Sequence, residues 1–277
     1  MLKKIVLCIV VLMMSGVSFL GGKYLKETRQ FRVDDKKVAI RVEKRKNEIN
    51  YSLGMILEFL ECKLEKNGFK VYEPSFLGDL YPERLNDAGV NIFVRGKSVS
   101  LDKRYVDEAH NIYLVDEFNR GNFEELRNFD EYISTNPWLI KGAEHKGLKV
   151  QFLEYEPCGK KPKFKNKGKD IVYIYEGNNA NIADRLYRDL GAKSYTSMKF
   201  YEMGKKKREE VFRDARVVVY DCLEEVDIYG GSYWYALEDI LSYGRKAVFN
   251  RNCGNILTDK DVNSFSNYDE LVFAIKY

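Results

Sequence analysis

The stretch WYALEDILSYGRKAVFN, residues 234–250, decides the reading of the fold. Trp234, Leu237, Ile240 and Leu241 recur at helical spacing, and Gly244 stands where a left-handed residue closes a helix. Two basic residues follow, then Ala247-Val248-Phe249, an apolar run short enough for a buried strand. Helix, glycine and buried strand in that order form the building unit of a parallel α/β sheet. The acid Glu238 lies in the first turns of the helix.

The same rhythm extends outward in both directions. Upstream, KKKREEVFRDA (205–215) reads as a helix and VVVYDC (217–222) as a buried strand. Before them come a strand at DIVYIYEG (170–177), a helix at ANIADRLYRDLG (180–191) and a strand at KSYTSMKFYE (193–202). Downstream, YDELVFAIKY (268–277) reads as a final helix. Nearer the N-terminus, KVAIRV (37–42), FKVYEP (69–74), NIFVRG (91–96), NIYLVDE (111–117), FDEYIST (129–135) and LKVQFLEY (148–155) read as strands. Between the first two, SLGMILEFLECKLEKNG (52–68) is an amphipathic helix with Leu53, Ile56, Leu57, Leu60 and Leu64 on one face and Gly68 as its stop. NFEELRNF (122–129) is further helical material. The basic run KKPKFKNKGK (160–169) interrupts the pattern, as a solvated linker or as a surface facing anionic lipid or phosphate. The expected class is therefore α/β, in two domains at 37–156 and 170–277.

Bulk properties agree with this class. A chain of 277 residues that is 45% apolar supports two real cores, and 32% charged residues do not signal disorder. A net charge of +4 is too small to imply nucleic acid as a partner. Cys8, Cys62, Cys158, Cys222 and Cys253 form no C-x-x-C and no Cys/His cluster, so no metal site is expected. Thiols scattered this way fit a reducing compartment, although four of them could still pair outside the cell.

Residues 5–22, IVLCIVVLMMSGVSFLGG, are an apolar run behind Lys3 and Lys4, and residues 1–22 read as a signal or a membrane-anchor helix. More Lys and Arg follow the run than precede it, among them Lys23, Lys26, Arg29 and Arg32. That bias keeps the following body on the cytoplasmic face of a membrane. Export after cleavage near Ser15-Gly16-Val17-Ser18 is the alternative.

The order of elements in HNIYLVDEFNRGNFEELRNFDEYISTNPWLIKGAEHKGLKVQFLEY (110–155), in EEVFRDARVVVYDC (209–222) and in the opening stretch resembles that of GT-B glycosyltransferases. The resemblance implies two Rossmann-like domains facing a cleft, preceded here by the N-terminal hydrophobic helix. Residues 37–156 would be the acceptor domain and 170–277 the nucleotide-sugar donor domain. The implied activity is transfer of a sugar from a nucleotide-sugar co-substrate, with no other cofactor, to a glycan or lipid-linked acceptor. Such a reaction belongs to surface polysaccharide or glycoconjugate synthesis.

The acid at the place of Glu238 contacts the donor in that family. Independently, a diphosphate is best held by free N–H groups at a helix N-terminus. Gly230-Gly231-Ser232, with Tyr233 next, supply such a turn, and Ser232 is a natural N-cap. Gly177-Asn178-Asn179 form a second candidate phosphate or sugar loop. Many retaining members carry two glutamates separated by seven residues; counting back from Glu238, the first position is Gly230, and Glu225 and Asp227 fall outside that register. For an inverting reaction the base should stand at the carboxyl end of a strand in the first domain. Asp116 is the candidate, with Glu117 beside it, His110 less suited at the strand's start, and Arg95 as an anion contact. Two rival readings are an exported two-lobe solute-binding protein and a glycosyltransferase-like scaffold without activity.

Overall fold

The computed structural model describes residues 34–42, 49–76, 88–94, 109–115, 129–135, 137–145, 147–159, 161–164, 168–177, 179–222, 234–253 and 262–277. The N-terminal apolar run and residues 122–128 of the helix expected at 122–129 lie outside them. Among the described residues no helix is long and apolar enough to cross a membrane.

Two parallel sheets carry the chain. The first contains β1 (Asp34–Val42), β2 (Lys70–Val71), β3 (Ser75–Phe76), β4 (Ala88–Val94), β5 (His110–Leu114), β6 (Glu131–Ser134) and β7 (Val150–Phe152). Their order is β2-β1-β4-β5-β6-β7, with β3 continuing along the same edge of β1 as β2. The second contains β8 (Asp170–Tyr175), β9 (Lys193–Thr196), β10 (Ala215–Asp221), β11 (Lys246–Asn250) and β12 (Val262–Phe265), in the order β12-β11-β10-β8-β9. Each sheet thus starts near its middle, winds to one edge, and returns to the other side of its first strand. The reversal points fall between β1 and β4 and between β8 and β10.

Helices link the strands: α1 (Tyr51–Lys66), α2 (Pro137–Glu144), α3 (Ala180–Leu190), α4 (Ser197–Glu202), α5 (Lys205–Asp214), α6 (Trp234–Ser242) and α7 (Tyr268–Lys276). The opening stretch forms α6 and β11, with Gly244 between them at φ 71°. KSYTSMKFYE, expected as one strand, divides in two. Thr196 ends β9 and caps α4 by accepting a hydrogen bond from the Lys199 N–H at 3.3 Å. FKVYEP (69–74) yields only the two-residue β2, with β3 just beyond it, whereas the polar VNSF segment pairs in parallel with β11.

The largest deviation concerns α1. Its apolar residues were expected on one face, but every residue from Tyr51 to Leu57 is buried. The cause is that α1 lies between two layers. One side covers Val38, Ile40, Val90, Ile92 and Ile112 of the first sheet, and the other meets α4 and α6 in front of the second. Gly54 marks the close approach, since a Cβ there would overlap the Tyr201 ring. Tyr51 is packed edge-on to Phe200 at 4.9 Å and tilted against Tyr220 at 6.3 Å, so one continuous core serves both sheets. Separate smaller cores fill the outer faces, under α3 and α7 on the second sheet and under α2 on the first.

Four cysteines expected as scattered thiols are joined in two disulfides, Cys62–Cys158 and Cys222–Cys253. Their separations of 96 and 31 residues follow from the winding of the fold and leave no spacing motif in the sequence. The basic run also departs from a purely solvated linker. Lys161 keeps only 5% of its side chain exposed, and its Nζ lies 3.0 Å from Asp239 Oδ1.

Candidate functional site

In a parallel sheet, ligands are held outside the carboxyl ends of the strands, at the reversal point. Here the carboxyl edges of the two sheets meet. The start of α1, which follows β1, touches the start of α4, which follows β9: the Tyr51 N–H donates to Ser197 Oγ at 2.9 Å. Thr135, just past β6, shares a 2.5 Å hydrogen bond with the Tyr235 hydroxyl in the first turn of α6.

At the reversal point of the second sheet stands Asp221, the last residue of β10, fully buried. Its carboxylate accepts from the Tyr173 hydroxyl, from Asn179 Nδ2 at 3.1 Å and from Asn250 Nδ2 at 2.6 Å. Burial and then the Asp221 charge drive the Tyr173 hydroxyl far above its ordinary pKa, so it stays a donor. Next to it Glu176 accepts from the Tyr220 hydroxyl at 2.6 Å and from Ser197 Oγ at 3.4 Å. Five hydrogen bonds to two carboxylates therefore fix the ends of β8, β10 and β11.

On α6, Asp239 is 2% exposed and joins the two halves of the molecule. Its Oδ2 accepts from the Tyr51 hydroxyl at 2.5 Å, while Oδ1 faces Lys161. Burial first, and then Asp239, raise the Tyr51 pKa well above its usual value. Lys161 also donates to the Tyr243 hydroxyl at 3.1 Å and lies over its ring. Behind this cluster Arg208 reaches Glu58 of α1 at 2.5 Å and the Tyr201 carbonyl at 2.9 Å.

Of the residues singled out in the sequence, Glu238 is half-buried on α6, beside Asp239. Its charge acts on Tyr155, whose pKa is raised chiefly by burial, then by Asp239, Tyr235 and Glu58, and least by Glu238. Gly177 adopts φ 66° just beyond β8. Asn179 turns its amide inward to Asp221, so that amide anchors the loop. Asp116, Glu117, Arg95, Asn178, Gly230, Gly231, Ser232 and Tyr233 lie outside the described residues.

His110 is excluded from the carboxyl edge. It opens β5 at the opposite end of the sheet, where Nε2 lies 3.3 Å from Glu131 and Nδ1 3.8 Å from Asp130. Contact with Glu131 raises its pKa, burial opposes the rise, and the charges of Glu131 and Asp130 add to it. Among the described residues no His, Cys, Asp and Glu cluster could hold a metal ion.

Asp221, Glu176 and Asp239 did not stand out in the sequence. Asp221 left a usable trace, a carboxylate directly ending the buried run VVVY. Asp239 left none, because its partners Tyr51 and Lys161 are 188 and 78 residues away.

No protein-family model matches the chain, and no curated protein does. Among solved structures it is similar to an alpha-glucosyltransferase in complex with UDP and a 13-mer DNA containing a central A:G mismatch. The identity is 11%, the TM-score 0.45, and the match covers 87% of this chain and 88% of that one. At that level the likeness carries nothing about substrate or activity.

Proposed function

We propose that this protein is a GT-B-type glycosyltransferase that moves a sugar from a nucleotide-sugar donor to a glycan or lipid-linked acceptor. The observation that carries the reading is the meeting of the two carboxyl edges across α1 and α6, each with its own reversal point. In this reading the donor diphosphate lies against Gly230-Gly231-Ser232 and Tyr233 at the entry to α6, with Gly177, Asn178 and Asn179 across from it. Glu238 takes a hydroxyl of the ribose or sugar. Asp116 removes the acceptor proton as the diphosphate leaves, without a metal. Asp221 and Glu176 hold the strand ends that carry these loops, and residues 5–22 tether the body to a membrane.

The test is thermal stabilisation of the purified full chain by UDP, GDP, ADP and dTDP and their sugars. A ligand at a hundred times its Kd should add about 2.7 kcal/mol of stability. No shift with any of them removes the donor site. In Glu238→Ala, loss of that shift with an unchanged melting temperature supports the assigned role, and an unchanged shift refutes it.

One observation favours a second reading, an exported two-lobe protein that binds a small ligand without chemistry. It is the pairing of all four cysteines in the body, which suits a compartment lacking free nucleotide sugars in many cells. Stabilisation by free sugars or other small solutes, with none by nucleotides, would select it.

A further inference from the structure

We infer that the body of this protein folds and works in an oxidising compartment, with Cys62–Cys158 and Cys222–Cys253 as permanent structural cross-links. The inference does not rest on the transferase reading; if it holds, a transferase of this fold has to meet its nucleotide-sugar donor outside the reducing cytoplasm.

Residues 34–277 contain four cysteines, Cys62, Cys158, Cys222 and Cys253, and all four are paired. Cys8, the fifth, belongs to the N-terminal apolar run. Neither pair is a local accident of neighbouring turns. Cys62 lies in the last half of α1, and Cys158 on the connector that leads from β7 to the second sheet. Cys222 follows the last residue of β10, and Cys253 closes the short helical turn after β11. Each bridge thus joins segments that meet only in the finished fold, and no thiol is left over in the body.

Their surroundings are those of structural cystines. Cys222 and Cys253 are fully buried in the shared core beside Tyr220. Stable disulfides of this kind persist in secreted, lumenal and periplasmic proteins and are rare where glutathione and thioredoxin keep thiols reduced. The apolar run at 5–22 then serves to deliver the body across a membrane, against the orientation that Lys23, Lys26, Arg29 and Arg32 suggest. Each bridge forms when two thiols lose two protons and two electrons to an external disulfide, which leaves as a dithiol.

The test is thiol counting on the full chain carrying Cys8→Ala, produced in cells with a working export pathway and quenched in acid. A polyethylene-glycol maleimide should label no cysteine in the denatured chain before reduction and all four after it. Labelling of all four without reduction, in whichever cell fraction the chain is found, overturns the inference. Single variants check the pairing independently of compartment. In Cys62→Ser the one newly reactive thiol should be Cys158, and in Cys222→Ser it should be Cys253, each located by peptide mass. A free thiol elsewhere in either variant overturns the assignment.

Discussion

Helices α1 and α3 occupy the same place in their sheets, each following the first strand, yet they live in different surroundings. Helix α1 is enclosed over Tyr51–Leu57, bridges two sheets, and is tied to the connector through Cys62. Helix α3 buries Ala183 and Leu186, packs Ile182 and Leu190 partly against the same core, and turns its polar side outward, with Arg185 and Asp189 forming an exposed pair at 3.7 Å. Topology is therefore shared between the two halves, while the energetic weight of the fold rests on one helix.

The comparison can be broken first by unlinking α1. In the chain-entropy view, losing a cross-link over 96 residues costs about 4–5 kcal/mol, so Cys62→Ser with Cys158→Ser should give the largest fall in denaturant midpoint. A fall under about 1 kcal/mol would mean that α1 docks without its tether. Next, Tyr51→Ala empties a site at 0% exposure and should cost about 3–5 kcal/mol, whereas Tyr187→Ala, at 69% exposure on α3, should stay within about 0.5 kcal/mol. Equal losses would end the distinction between the two helices.

Ion pairs sharpen the same contrast. Glu58→Gln leaves Arg208, 3% exposed, without its carboxylate, and should cost about 2 kcal/mol because Glu58 itself is partly open to water. Asp189→Asn on α3 should cost about 0.5 kcal/mol or less. Chemical denaturation of both variants in low and high salt separates them, since only the exposed pair is screened. The smallest effect lies away from both helices, at His110. Its folded pKa is raised above the unfolded value, so its stabilising share is complete below about pH 6.5 and fades as pH rises through the folded value. The stability difference between wild type and His110→Gln should shrink over that interval; a difference that grows with pH would contradict the Glu131 contact.

The two helices also mark what a sequence conveys. The α3 pattern is legible in the sequence to within a residue, because one buried face over a polar one leaves a period, and Gly191 at φ 66° ends it. The α6–β11 unit was legible for the same reason. In α1 the helix itself is legible, but the burial of Tyr51, Ser52, Gly54 and Met55 is not, since partners on that side arrive from the second half of the chain. The site followed suit. Glu238 and Gly177 come from local motifs, whereas Asp239, Asp221 and Glu176 matter through Tyr51, Tyr173, Asn250 and Ser197, contacts that no window of sequence contains.

The shared core also sets a timetable for folding. Tyr51 cannot complete its surroundings until Phe200, Phe212, Tyr220 and Asp239 have been synthesised, the last of them 188 residues later. Contacts of such long range are slow to form, and the N-terminal half waits as an open, unfinished layer. Nascent chains stalled before residue 234 should accordingly remain sensitive to protease at α1, and become resistant only once α6 has emerged.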